Sequence, residues 1–152
     1  MKEETHWQWS HFKGLTAEQW HNLLQLRINV FVVEQNCAYP ELDGKDPDCI
    51  HVWAERNGRV VAVARVVPPG LSYHEVSLGR VAIMEPHRRE GLGRKLMDFC
   101  LQTITAEFGR LPIRISAQTY LLPFYQSLGF EDTGKEYLED DIPHVQMYRS
   151  AR

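Results

Sequence analysis

Residues 77–100 constrain this chain more than any other stretch. They read Ser-Leu-Gly-Arg-Val-Ala-Ile-Met-Glu-Pro-His-Arg-Arg-Glu-Gly-Leu-Gly-Arg-Lys-Leu-Met-Asp-Phe-Cys, which predicts a strand, a tight basic turn and a helix in immediate succession. Leu78, Val81 and Ile83 are strand formers, and Pro86 stops the ladder because it has no N–H to donate. Leu92, Leu96, Phe99, Cys100, Ile104 and Phe108 then fall on one helical stripe. Gly91 and Gly93 allow a ligand nearer the backbone than a side chain would permit. A helix start presents unpaired N–H groups and a partial positive charge. Arg88, Arg89, Arg94 and Lys95 crowd that end against a single Glu90, so the expected ligand is a phosphorylated anion. The spacing is not that of a P-loop, which needs Gly-x-x-x-x-Gly-Lys-Ser/Thr. Nor is it the dinucleotide fingerprint, with its three glycines in an early βαβ unit.

The positive charge is local. The chain of 152 residues carries a formal net charge of −3, which argues against a nucleic-acid surface and suits a small anion better than a polymer. Length predicts a single domain over residues 1–152 with room for a core. No apolar run approaches the roughly 20 residues of a membrane span, and residues 1–9 lack the apolar core of a signal peptide. Cys37, Cys49 and Cys100 have no metal-ligand spacing. Their odd number favours reduced thiols and a cytoplasmic setting, with no metal.

Ahead of the basic turn, Trp7, Trp9 and His11 alternate with Gln8, Ser10 and Phe12, which predicts a first strand. Thr16 and Gln19 form a capping-box pattern, and Trp20, Leu23, Leu24, Ile28 and Phe31 follow at helical spacing. The helix is expected to break within residues 31–35. Residues 36–48 carry Pro40, Gly44, Pro47 and the acids Glu41, Asp43, Asp46 and Asp48, the pattern of a solvated loop. Two apolar runs joined by Asn57-Gly58 predict a hairpin, because both turn positions need positive φ. The second run, residues 59–67, is apolar on both faces and reads as a central strand. The next strand is expected over residues 73–83. After the long helix come a strand at residues 113–117, a helix over 118–128, a strand from Phe130, an acidic turn over 136–141 and a final strand over 142–149.

The second half resembles the GCN5-related N-acetyltransferase (GNAT) superfamily. Three segments carry the likeness in order: Gly79-Arg80-Val81-Ala82-Ile83 leading into Arg88-Arg89-Glu90-Gly91-Leu92-Gly93-Arg94; Ile115-Ser116-Ala117-Gln118; and Pro123-Phe124-Tyr125-Gln126-Ser127-Leu128-Gly129-Phe130. In the first half, Leu26-Arg27-x-x-Val30-Phe31-Val32-Val33-Glu34-Gln35-Asn36-Cys37-x-Tyr39, then Asp43-Gly44-x-Asp46, resembles the ElaA-like branch. So does Asp141-Ile142-Pro143-His144. The Arg-x-x-Val-Phe and Asp-x-x-Asp patterns are also similar to acyl-homoserine-lactone synthases, a fold-level analogy.

The resemblance implies an α/β (α+β) fold. Its central twisted sheet is mixed and mostly antiparallel, with two splayed parallel strands and about four flanking helices. It implies acetyl-CoA as co-substrate, no metal, and a small-molecule or peptide amine as acceptor. Backbone groups at Val81, Ala82 and Ile83 would pair with the pantetheine arm, and Arg88, Arg89, Glu90, Gly91, Leu92, Gly93, Arg94 and Lys95 would cradle the pyrophosphate. Gln118 and Phe124 would complete the cofactor side. Tyr125 matches the family's proton donor to the leaving thiolate. For the base, His144 and Glu34 are the leading candidates; His51, Glu75 and ordered water stay open. Arg27, Phe31, Gln35 and Arg80 would line the acceptor pocket. Asp43 and Asp46 would attract an amine and Arg65 or Arg80 an anion, or all four would form internal salt bridges. Alternatives are a non-catalytic acyl-CoA-binding module, an acyl-homoserine-lactone-type synthase and a nucleotide-binding module. A homodimer through exposed strands is a further expectation.

Overall fold

The computed structural model describes residues 4–37 and 40–152; Tyr39 of the first-half motif lies outside them. β1 (His6–His11), β2 (Ile50–Arg56), β3 (Arg59–Val67) and β4 (Ser77–Ile83) form an antiparallel sheet in that order. A second antiparallel sheet has the order β5 (Ile113–Gln118), β7 (Ile142–Arg149), β6 (Glu131–Glu139). The sheets touch through a parallel bridge, Val76 to Ile113, with the Arg114 amide donating to the Val76 carbonyl at 2.9 Å. Beyond that bridge no ladder joins β4 to β5 among the described residues. The predicted pair of splayed parallel strands is therefore β4 and β5, and the expected central sheet is two sheets meeting at their splay.

Among the described residues, three α-helices flank the sheets, against about four expected: α1 (Ala17–Ile28), α2 (Leu92–Phe108) and α3 (Leu122–Gln126). Thr16 and Gln19 form the capping box in full, so α1 starts where its sequence says. It does not simply break. The chain continues as a π-helical turn, Asn29–Glu34, with the Gln35 amide donating to the Val30 carbonyl five residues back. Such turns are rare and cluster at functional sites. α1 and α2 cover opposite faces of the first sheet. Val60 and Val63 of β3 pack with Leu23, Leu26 and Val30, whereas Ala62, Ala64 and Val66 pack with Leu92, Leu96, Met97 and Cys100. That double burial is why β3 is apolar on both faces. Asn57 and Gly58 have φ of 50° and 72°, as the hairpin turn requires.

Several boundaries differ from expectation. β4 starts at Ser77, not Tyr73. The helix expected over 118–128 is a 3-10 turn, Thr119–Leu121, followed by the short α3, because Pro123 fits only the first helical turn. Residues 136–139 belong to β6; the turn is only Asp140 and Asp141, both left-handed, a conformation that Asp tolerates. Among the described residues, no helix is long and apolar enough to cross a membrane.

Candidate active site

The splay between β4 and β5 opens into a cavity of about 470 Å³. Gly79, Arg80 and Val81 of β4 form one side, and Ile115, Ala117 and Gln118 of β5 face them. The β3–β4 register shifts here, between Val63 and Arg65, and Arg80 takes φ of 50°. A bulge of this kind bends a strand away from its neighbour and frees backbone groups. Phe31 and Gln35, from the π-helical turn and just after it, also line the cavity. Tyr125 of α3 and His144 of β7 complete the chemical wall.

Tyr125 is 7% exposed. Burial, reinforced by Cys100 and Tyr120, pushes its phenol up to about 12, so it is protonated throughout the neutral range. Phe124 and Phe130 meet its ring edge-on and fix its direction. Phe124 packs against the core and does not line the cavity. Both ring nitrogens of His144 face oxygens: Nδ1 lies 2.7 Å from the Ile142 carbonyl and Nε2 lies 3.2 Å from Glu139. Tyr137 stacks on the same ring and donates its hydroxyl to Ser116.

The basic turn lies beyond the far end of β4. α2 begins after Gly91, and its first backbone bond runs from the Lys95 amide to the Gly91 carbonyl at 3.3 Å. The amides of Leu92, Gly93 and Arg94 precede the ladder, free to bind an anion. Gly91 has φ of 78°, which explains a glycine there. Gly93 has no such reason: its φ is not left-handed, and an added Cβ would meet nothing within 4 Å. A glycine that its own fold does not require leaves space for an incoming group, so this turn fits a bound diphosphate.

Arg88, Glu90 and Arg94, three of the turn's five charged side chains, already have partners. Arg88 donates to the Ile83 carbonyl at 2.9 Å and to Glu34 at 2.5 Å. Glu90 is paired with Arg56 at 2.6 Å, and its carboxyl is held below the usual range by that guanidinium. Arg94 bonds to Ser127, tying α2 to the end of α3. The Ile83 carbonyl, expected to be free for pantetheine, is thus capped by Arg88. Ala82 is buried in the packing under α1 and does not reach the cavity.

Two further expectations are corrected. Arg27 does not line the cavity: it is fully buried, with Nε 2.7 Å from Glu41 and Nη1 2.8 Å from Asp46. Glu34 is also outside the cavity, exposed and committed to Arg88. Of the other base candidates, His51 is fully buried between Phe12 and Trp20, and Glu75 is paired with Arg114. The loop over 36–48 is not simply solvated. Glu41 and Asp46 are 5% and 3% exposed, and with Asp43 they hold Arg27, Arg65 and Arg80. Internal salt bridges are what these residues make. The available signal was Arg65, a lone charge inside an otherwise apolar strand, which needs a buried counter-ion. Glu139, Lys45, Ser72 and Tyr73 also line the cavity, and none was singled out from the sequence.

A profile of the family described as "Acetyltransferase (GNAT) domain" matches residues 22–151, most of the chain. The chain belongs to the GNAT acetyltransferase family, a family of acyltransferases. Within it, the chain is similar to protein ElaA of Escherichia coli, at 41% identity over 147 residues, covering 95% of this chain and 96% of ElaA. The crystal structure of that ElaA superposes with a TM-score of 0.91, over 97% of this chain and 100% of the other. An acyl-CoA N-acyltransferase from Pseudomonas aeruginosa superposes at 0.93 and 40% identity, again over 97% and 100%. A CoA-dependent acyl-homoserine lactone synthase, BjaI, is 18% identical over 98% of this chain and 84% of its own, with a TM-score of 0.75; that likeness is one of fold.

Proposed function

We propose that this chain transfers an acetyl group from acetyl-CoA directly to a primary amine, with Tyr125 protonating the departing thiolate. The observation that carries this reading is that Tyr125 shares one cavity with the bulged edge of β4 at Gly79–Val81. The diphosphate would rest on the amides of Leu92, Gly93 and Arg94, and the pantetheine arm along β4 past Val81. Bound there, acetyl-CoA supplies an activated thioester carbonyl.

The remaining work falls to this chain's side chains. An amine of pKa about 10.4 is about 0.04% neutral at pH 7, a penalty of about 4.6 kcal/mol. His144 takes the amine's proton as the C–N bond forms, at Nε2, because Nδ1 donates to the Ile142 carbonyl; the amine has to displace Glu139 from Nε2 to deliver it. As the C–S bond breaks, the thiolate takes the Tyr125 hydroxyl proton, which solvent later restores. A free thiol of pKa near 8.5 is a poor match for a phenol pushed up to about 12. Burial narrows that gap, since it moves thiols the same way: Cys100, fully buried beside Tyr125, is also pushed up to about 12.

A thermal-shift titration with acetyl-CoA, followed by an amine panel with detection of released thiol, tests the reading. Saturable stabilisation and amine-dependent thiol release are expected. Stabilisation without release from any amine would leave a binding module in place of an enzyme.

A further inference from the structure

The charged groups around the cavity divide by wall. Lys45, Arg65, Arg80 and one carboxylate, Asp43, reach it from the first sheet and the loop ahead of it; Glu139, Asp140 and His144 reach it from β6, β7 and the turn between them. On the first wall, four basic side chains (Arg27, Lys45, Arg65, Arg80) meet three carboxylates (Glu41, Asp43, Asp46). The three arginines absorb the three carboxylates. The surplus cation is Lys45, whose Nζ donates to a neutral group, the Ser72 hydroxyl, at 2.9 Å. Lys45 and Ser72 both line the cavity. Arg65 is 6% exposed, and its Nε has no hydrogen-bond partner among the described residues. On the second wall, Glu139 and Asp140 contribute negative charge beside His144, the group that receives a proton in the proposed transfer.

A cavity positive on one side and negative on the other suits neither a plain amine nor a plain acid. An amine of net positive charge is drawn to Glu139 but leaves Lys45 uncompensated. A simple anion has the opposite fault. A molecule carrying both charges a few bonds apart meets both walls at once. Size acts in the same direction, because about 470 Å³ must also admit the thioester end of the donor.

Resting on the acetyl-transfer reading above, we propose that the acceptor is a free amino acid, bound as a zwitterion. Its carboxylate sits at Lys45, and its amine is directed at His144 and Glu139. Lys45 is then a specificity-determining residue, reading the carboxylate without taking part in proton transfer.

The test compares matched acceptors: free amino acids, their carboxamides, and the amines left when the carboxyl group is removed. The free amino acid is expected to exceed its carboxamide by at least about tenfold in kcat/KM, mainly through KM. Lys45→Met should bring that ratio close to one, and Lys45→Arg should restore it. Carboxamides or decarboxylated amines used equally well or better would overturn the proposal. So would a Lys45→Met variant that lowers both acceptors in equal proportion while melting like the parent chain. If acetyl-CoA binds and no acceptor of any class releases thiol, the acetyl-transfer reading itself fails, and this inference with it.

Discussion

Glu34 and Arg88, 54 positions apart in sequence, form an ion pair between the π-helical turn that roofs the cavity and the basic turn at the start of α2. Arg88 also holds the Ile83 carbonyl, so one guanidinium joins the roof, the end of β4 and the basic turn. An anion arriving at the basic turn competes with Glu34 for that guanidinium. Glu34→Gln is therefore expected to tighten acetyl-CoA binding. The pair is solvent-exposed, which limits the gain to about two- to fivefold. Arg88→Ala is expected to weaken binding and to flatten its salt dependence. Titration calorimetry at two ionic strengths reads both effects. Weaker binding by Glu34→Gln would mean that the pair pre-forms the site and does not occupy it.

Tyr125 yields a sharper separation. Its ring is packed between Phe124 and Phe130, so Tyr125→Phe preserves the packing and removes only the hydroxyl. Acetyl-CoA affinity should stay within about twofold, while turnover falls by roughly ten- to a thousandfold. Because burial pushes the phenol up to about 12, it contributes no falling limb to the pH–rate profile below about pH 10. Turnover retained in full by Tyr125→Phe would remove the hydroxyl from the reaction.

The same contrast between local pattern and tertiary context decides what could be read from sequence. Signals confined to a few residues were legible. Thr16 with Gln19, Asn57-Gly58, and the run from β4 through Gly91 into α2 each specify their own geometry. Local pattern failed where a partner distant in sequence decides the outcome. Arg27 has the spacing of a pocket residue, yet Glu41 and Asp46 bury it completely. Glu34 looks free in sequence, but its position is set by Arg88. The 136–139 stretch reads as an acidic turn because its polarity is that of an exposed strand at the edge of its sheet, beside β7. An edge strand facing water has no apolar alternation to betray it.

The buried charges predict a stability profile. Burial alone would raise the Asp46 carboxyl, but hydrogen bonds and charge from Arg27 and Arg65 overcome that and hold it below its ordinary value. Asp43 is held below its range in the same way by Arg65 and Arg80. A carboxyl lowered in the folded state stabilises above its unfolded pKa, and that contribution is lost as pH falls below about 4. His51 acts earlier. Burial lowers its imidazole, so the unfolded chain binds the proton more readily, and stability declines as pH falls from about 6.5. Urea melts across about pH 2–8 should show both steps. His51→Phe, which keeps an aromatic ring between Phe12 and Trp20, should abolish the upper one. Arg27→Met removes one of the two guanidiniums that Glu41 and Asp46 each meet in the interior and should cost about 3–5 kcal/mol at neutral pH.

Gly93 separates folding from binding at a single atom. It occupies the second position of α2, its backbone is not left-handed, and a methyl group there meets nothing of the chain within 4 Å. Replacing glycine by alanine in such a place removes freedom from the unfolded chain and should stabilise the fold by about 0.4–1 kcal/mol. If the space is kept for a diphosphate lying against the amides, the same methyl group intrudes on it. Gly93→Ala is then expected to melt higher than the parent chain while binding acetyl-CoA at least about tenfold more weakly, a loss of about 1.4 kcal/mol. These opposite signs cannot come from a general disturbance of the turn, which would lower both. Were affinity to rise or hold with stability, the ligand would not approach the helix start this closely, and the arginine side chains alone would have to supply its phosphate contacts.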